Sequence, residues 1–296
     1  MVDSSFTASV DQVNEDQWNN LLSLFDDANL YQTPAYGRHF RGGNDLSHIV
    51  IKKDDKIVSI TMVRIFKIPF MNRGIAYIFF GPLWRLKGQK TDPQLLISIL
   101  KIMSDEYVKK RKLLLRIIPN FYVDTLGKAE STFRSAGFKP VKSQIKKQTI
   151  LLNLRPSLAE LSSSLSRNWR RHLNKAQKNK LKIKEGTGIE LYDIFNENYI
   201  NMIQRKRIKH PLDSSTFRAI QSELPNGQKM RIMIGSDEKG PVAGIVVSAI
   251  GNTGIYIMGA TNDRGLLTDC SYLLQWKMVE WLKKRGYYWY DLGGID

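Results

Sequence analysis

The hydrophobic positions of the chain run through one order of periods twice. SHIVI (47–51) alternates as a strand, turns at Asp54-Asp55 and resumes in KIVSITMVRIF (56–66). IAYIFF (75–80) gives a third strand that stops at Gly81-Pro82. A helical period follows over about 93–110, and KLLLRII (112–118) closes the unit. From residue 229 the order returns: KMRIMIG (229–235), a turn at Asp237-Glu238-Lys239-Gly240, VAGIVVSAI (242–250), GIYIMG (254–259), a helix over about 269–285, and YYWYDLGG (287–294). Duplication at this scale predicts two similar α/β (α+β) domains, residues 1–146 and 147–296, facing each other. Function would sit in the cleft between them or in one retained site.

The segments around the repeats read as helices. Trp18, Leu21, Leu22 and Phe25 mark one buried stripe, and Pro34 after Thr33 suits a first helical residue. GFKPVKSQIKKQTILLNL (137–154) reads as a strand carrying the chain from one half to the other. Beyond it, Pro156-Ser157 opens a helix with Leu158, Leu161 and Leu165 on its apolar side. The helix predicted over 166–179 is sharply two-faced. Trp169, His172, Leu173 and Ala176 form one side; Arg167, Arg170, Arg171, Asn174, Lys175 and Lys178 form the other. Two more helices follow, one from Leu191 to Arg205-Lys206-Arg207 and a short one from Phe217 to Leu224.

Composition narrows the class. With 296 residues the chain can bury two cores, and a single cysteine, Cys270, excludes a disulfide framework or a thiolate metal site. The four histidines share no ligand spacing, so no metal is expected. The polar, acidic start and the lack of an apolar run of ~18–20 residues predict a cytoplasmic protein without a transmembrane segment. The net charge of +17 is concentrated: between Val141 and Lys184, twelve Lys or Arg face Glu160 alone. Such a field attracts phosphate, whether on a nucleic acid, an anionic membrane surface or a phosphorylated small substrate.

Several residues are candidates for chemistry. Arg170, Arg171 and Lys175 would grip phosphate, since the guanidinium fork binds its oxygens in pairs; the alternative is a solvated helix face. Asp291, just ahead of Gly293-Gly294, would orient a substrate or accept a proton, or would instead cap a loop. The two glycines permit a close backbone approach or a positive φ. Asp269 reads as the N-cap of the last helix, and Cys270 as a buried structural thiol. Tyr287 to Tyr290 alternate across a strand, half of them core. Lys67 and Arg73 flank a loop.

A strand pair feeding a helix and a further strand resembles the core of the GNAT acyltransferase fold. The tandem copy, with NWRRHLNKAQKNKLKI (168–183), WKMVEWLKKRGYYWYDLGGID (276–296), GPLW (81–84) and YQTPAYGRHF (31–40), resembles the FemABX-like peptidyltransferases. The resemblance covers nearly the whole chain. It implies two tandem GNAT-like domains that pass an aminoacyl group from aminoacyl-tRNA to an amine of a diphosphate-bearing peptidoglycan precursor, with no tightly bound cofactor. The members' inserted helical arm is missing here. The chain also ends at Asp296, where relatives run on into a basic segment that supplies a lysine near the reaction centre. Coenzyme A users of the fold cradle pyrophosphate in a glycine-rich turn, of which GATNDRGLLTDCSY (259–272) keeps Arg264-Gly265. Two alternatives stand beside this reading: an acyl-coenzyme A-dependent sugar or polysaccharide N-acyltransferase, and a non-catalytic RNA-binding module. The latter would lose affinity steeply with salt.

Overall fold

The computed structural model describes residues 5–39, 45–68, 73–120, 126–141 and 148–295. The chain divides into two compact units, Met1–Lys146 and Lys147–Asp296. The fold is two GNAT-like units in tandem, each a mixed sheet flanked by helices.

Unit 1 comprises β1 (Phe6–Val10), α1 (Glu15–Leu22), α2 (Pro34–His39), β2 (Asp45–Lys53), β3 (Lys56–Lys67), β4 (Gly74–Phe79), α3 (Pro93–Ser104), β5 (Leu114–Ile118) and α4 (Leu126–Ser135). Its sheet has the order β1-β2-β3-β4-β5, antiparallel except for the parallel β4–β5 pair. Alternation on β4 buries Ala76 and Ile78 under α3, where Ile99, Leu100 and Met103 meet them, and leaves Ile75, Tyr77 and Phe79 half-buried on the other face. The α3 helix starts where the Asp92 side chain accepts from Gln94 N, with Pro93 in the first turn. It passes into a π-helical turn, Asp105–Lys110, so the helical period over 93–110 is real but changes pitch.

Unit 2 comprises β6 (Gln148–Asn153), α5 (Leu158–Ser164), α6 (Arg167–Lys178), β7 (Lys182–Gly186), α7 (Ile189–Lys206), α8 (Ser214–Glu223), β8 (Arg231–Asp237), β9 (Gly240–Ile250), β10 (Thr253–Thr261), α9 (Asp263–Leu267), α10 (Cys270–Lys284) and β11 (Trp289–Ile295). The strand order is β6-β11-β10-β9-β8-β7. Leu274, Met278 and Leu282 of α10 cover one face together with Leu173 and Ala176 of α6. The α7 helix packs on β8, β9 and β10. The helices lie close to the strands because two glycines admit them. A Cβ at Gly235 would come within 2.2 Å of Cys270 Sγ, and one at Gly244 within 2.9 Å of Phe195.

Of the strand expected over 137–154, the described residues 148–153 are strand and 137–141 are not. Residues 137–141 follow α4 as a turn and irregular chain, and Gln148–Asn153 form β6. Residues 142–147, including the boundary expected near Lys146, lie outside the described segments. The first strand, β1, was not anticipated either, although Phe6 and Val10 pack against the core of unit 1.

Candidate functional site: the parted seam of unit 2

The parallel pair β10–β11 holds for three residues and then separates. Thr253, Gly254 and Ile255 lie opposite Trp289, Tyr290 and Asp291, and no pair follows. Both strands shift register at the parting. The β10 strand carries one extra residue between Tyr256 and Met258 in its ladder with β9, and β11 carries one between Asp291 and Gly294 in its ladder with β6. Beyond Ile255, β10 stays bonded to β9, and β11 stays bonded to β6 through Gly294–Thr149 and Ile295–Gln148. Each strand therefore keeps one ladder, and the edges that face each other across the seam carry backbone groups without a strand partner among the described residues.

Asp291 stands at the last paired position, 9% exposed. Tyr290 before it points into the core beneath α10, where its hydroxyl donates to Gln275 Oε1 at 2.7 Å, so alternation puts Asp291 on the opposite face. Asp291 Oδ1 accepts from Gly293 N at 2.9 Å and from the Thr149 hydroxyl, which also lies 2.8 Å from the Gly293 carbonyl. The carboxylate thus caps the bulge through one oxygen, while Oδ2 accepts no hydrogen bond among the described residues. Gly293 has φ +86°, a left-handed conformation that an L side chain adopts at a cost, so the glycine is required by the bulge. Gly294 is exposed, with no positive φ. The partner Thr149 could not be found from sequence, since it lies 142 residues away on β6.

Tyr256 was also missed. Its ring runs along β10 beside the parting: a Cβ at Gly259 would come within 1.9 Å of its hydroxyl oxygen, and one at Gly293 within 3.7 Å of its ring. Burial pushes its hydroxyl up to about 12, so it stays protonated and able to donate.

The basic helix α6 starts at Ser166, whose hydroxyl accepts from Trp169 N. Trp169 and His172 pack on Tyr272 of α10, His172 stacked at 4.6 Å between ring centroids. The opposite side presents Arg167, Arg170, Arg171, Asn174, Lys175, Lys178 and Asn179 around a shallow concavity of about 690 Å³. Arg170 and Arg171 are exposed, and neither takes a carboxylate partner among the described residues; Arg171 donates to Asn168 Oδ1 at 3.1 Å. Lys175 differs. Its ammonium lies 3.1 Å from Asp269, which also receives His172 Nδ1 at 3.1 Å.

That contact corrects the expectation for Asp269. It occupies the N-cap position of α10 but with φ 55°, and its side chain makes no cap hydrogen bond because it reaches across to α6. Burial pushes its carboxyl up, but the bonds and charges of Lys175 and His172 outweigh that and hold it below the ordinary value. The end of α6 is tied to the same place, Asn179 Nδ2 donating to Thr268 O at 2.9 Å. The last turns of the basic helix are therefore tied to the start of α10.

The turn between them offers no glycine cradle. Residues 263–267 form α9, in which a Cβ at Gly265 would come within 2.3 Å of the Val242 carbonyl, so this glycine serves helix-on-strand packing. Arg264 is committed to Asp237 at 3.3 Å and to the Pro241 carbonyl. Cys270 is fully buried, with its thiol pushed up to about 12, first by burial and then by Asp237; it is inert as a nucleophile. In unit 1, Lys67 pairs with Asp45 at 2.6 Å and Arg73 borders a shallow apolar groove; the loop between them lies outside the described segments. Among the described residues no cluster could hold a metal ion, and no helix is long and apolar enough to cross a membrane.

The fold is that of two GNAT-like units in tandem. Residues 163–296, which contain α6, the seam and α10, match the family described as acetyltransferase (GNAT) domain. The arrangement of the whole chain is FemABX-like: the crystal structure of FemX superimposes with a TM-score of 0.80 over 97% of this chain and 89% of FemX, at 14% identity. A conserved protein of unknown function from Bacteroides thetaiotaomicron matches with a TM-score of 0.60 at 10% identity, over 97% of this chain and 90% of its own. The C-terminal domain of a putative lysylphosphatidylglycerol synthetase from Agrobacterium fabrum matches with a TM-score of 0.56 at 11% identity, over 95% of this chain and 78% of its own. No curated protein matches the chain in sequence.

Proposed function

We propose that the chain is an N-acyltransferase that passes an aminoacyl group from aminoacyl-tRNA to an amine of a phosphorylated cell-wall precursor, of the peptidoglycan type. The observation that carries this reading is the parting of β10 and β11 at Asp291. The unpaired strand edges can hold an extended acyl donor and offer N–H groups to the oxyanion that forms on its carbonyl. The amine attacks the carbonyl carbon, a C–N bond forms, and the C–O bond of the ester breaks. Asp291 Oδ2 takes the proton that the amine sheds and passes it to the departing alkoxide, which restores the carboxylate. An activated ester needs little beyond positioning and charge stabilisation, so the chemistry asks for no nucleophilic side chain.

Arg170 and Arg171, unpaired with carboxylates, are the groups for the phosphates of the acceptor or of the tRNA. Lys175 has a different part: it holds Asp269 and so fixes α6 on α10. A donor other than acyl-coenzyme A is favoured by α9, which fills the turn where a pyrophosphate cradle would stand, and by the Asp269 carboxylate at the start of α10.

Thermal-shift titration with a UDP-linked cell-wall precursor, coenzyme A and bulk tRNA, at two salt concentrations, tests the reading. Stabilisation by the precursor that is lost in Arg170→Ala/Arg171→Ala is the expected result. Stabilisation by coenzyme A alone would replace it with the sugar acyltransferase reading. Binding of tRNA alone, abolished by salt, would leave an RNA-binding face.

A further inference from the structure

The short helix α9 exposes two adjacent leucines, Leu266 at 53% and Leu267 at 74%. Such a pair is costly to leave in water unless something covers it. Its surroundings are cationic on both sides. On one side, Arg205 at the end of α7 bonds Asp263 and donates to Thr261 O at 2.7 Å, which anchors the exposed Arg205-Lys206-Arg207 run beside the start of α9. On the other side, Asn179–Thr268 and Lys175–Asp269 bring the last turn of α6, with exposed Lys178, beside its end. Three of the nearby carboxylates are already answered, Asp263 by Arg205, Asp237 by Arg264 and Asp269 by Lys175, while exposed Glu238 stands beside Lys239 in the turn between β8 and β9. The result is an exposed apolar tip with Lys206 and Arg207 on one side and Lys178 on the other.

We infer that this tip is a membrane-docking surface, with Leu266 and Leu267 entering the headgroup–acyl boundary of an anionic bilayer while Lys178, Lys206 and Arg207 lie over the headgroup phosphates. The combination decides the occupant. A nucleic acid would use the cations and gain nothing from two aliphatic side chains at the crest. A second copy of the chain would bring a like-charged surface against this one. An anionic bilayer satisfies both components, as in interfacial elements where apolar insertion and electrostatic attraction add.

Co-sedimentation with vesicles tests this without any acyl donor, so it stands or falls separately from the catalytic reading. The unmodified chain binds phosphatidylglycerol/phosphatidylcholine vesicles and not phosphatidylcholine alone, with affinity falling as salt rises. Leu266→Ser/Leu267→Ser weakens that binding by about tenfold to a hundredfold, from the apolar area withheld, and leaves binding to bulk tRNA unchanged. Both residues are exposed, so the variant keeps the fold. Leu267→Trp supplies a second readout, a blue shift of tryptophan emission on anionic vesicles only. No vesicle binding, equal binding by the serine variant, or an unshifted Leu267→Trp emission overturns the inference. Retention on tRNA alone would assign the cations to nucleic acid.

Discussion

The two units carry the same strand pair at the centre of the comparison, and only one of them opens. In unit 1, β4 and β5 pair without interruption from Ile75–Leu114 to Phe79–Ile118. In unit 2, β10 and β11 part after Ile255–Asp291. The difference lies in what stands beyond the second strand. β5 is the edge of its sheet, so pulling it from β4 would leave its backbone groups and those of β4 without partners. β11 has β6 on its far side, and the chain that leaves unit 1 thereby supplies the ladder that lets β11 depart from β10. A duplicated fold can thus keep one copy closed as a scaffold and open the other with a single added strand.

The sharpest way to break this comparison is at Asp291. Asp291→Asn keeps an Oδ1 acceptor for Gly293 N and Thr149, so the bulge survives, yet it removes the proton acceptor. Transfer is expected to fall by about two to four orders of magnitude in kcat/KM, with Tm nearly unchanged. Loss of Tm in parallel with activity would reduce Asp291 to a capping role. Next in size, Arg170→Ala/Arg171→Ala raises KM for the phosphorylated acceptor by roughly a hundredfold and spares kcat, because two charge-assisted bonds of about 1.5 kcal/mol each are lost. An unchanged KM would return α6 to a solvated face.

Stability probes follow. Gly293→Ala forces a side chain into φ +86° and costs about 1–2 kcal/mol in urea unfolding. Asp269→Asn removes the anchor of α6 and costs about 1–3 kcal/mol at neutral pH. The sign with pH follows from the depressed carboxyl. Its contribution is fully present above the unfolded value of 3.8 and fades as pH falls below it, so the two proteins converge in acid. The contrast in unit 1 is Asp27, which is buried and accepts from Trp84 N at 3.1 Å and Arg85 N at 3.2 Å. Burial raises it from 3.8 to about 6, so it lowers stability as pH climbs through that window. Smallest of all, Arg116→Ala, exposed on the closed β5, leaves transfer within about twofold.

Much of this architecture could be read from the chain. The duplicated strand order rests on β-branched runs such as KIVSITMVRIF and VAGIVVSAI, whose burial is dictated locally, and the two-faced α6 announces itself through Trp169, Leu173 and Ala176. The seam was visible only as Gly293-Gly294 after Asp291. Its opening depends on one-residue register shifts and on Thr149 from a distant strand, which tertiary pairing decides and no local pattern encodes. Asp269 misled for a related reason. An aspartate ahead of an apolar run is ordinarily a cap, and here Lys175 and His172 win the carboxylate.

If the donor lies in the open seam of unit 2, only that seam responds to it, since the matching pair in unit 1 is closed. Hydrogen–deuterium exchange with and without a non-hydrolysable aminoacyl-tRNA analogue tests it directly. The expected result is that the amides of β10 and β11 that face the seam exchange quickly in the free chain and become protected with the analogue, while the amides shared in the β4–β5 ladder are protected throughout and do not change. Protection that appears in β4 and β5, or none in β10 and β11 at saturating analogue, would contradict it.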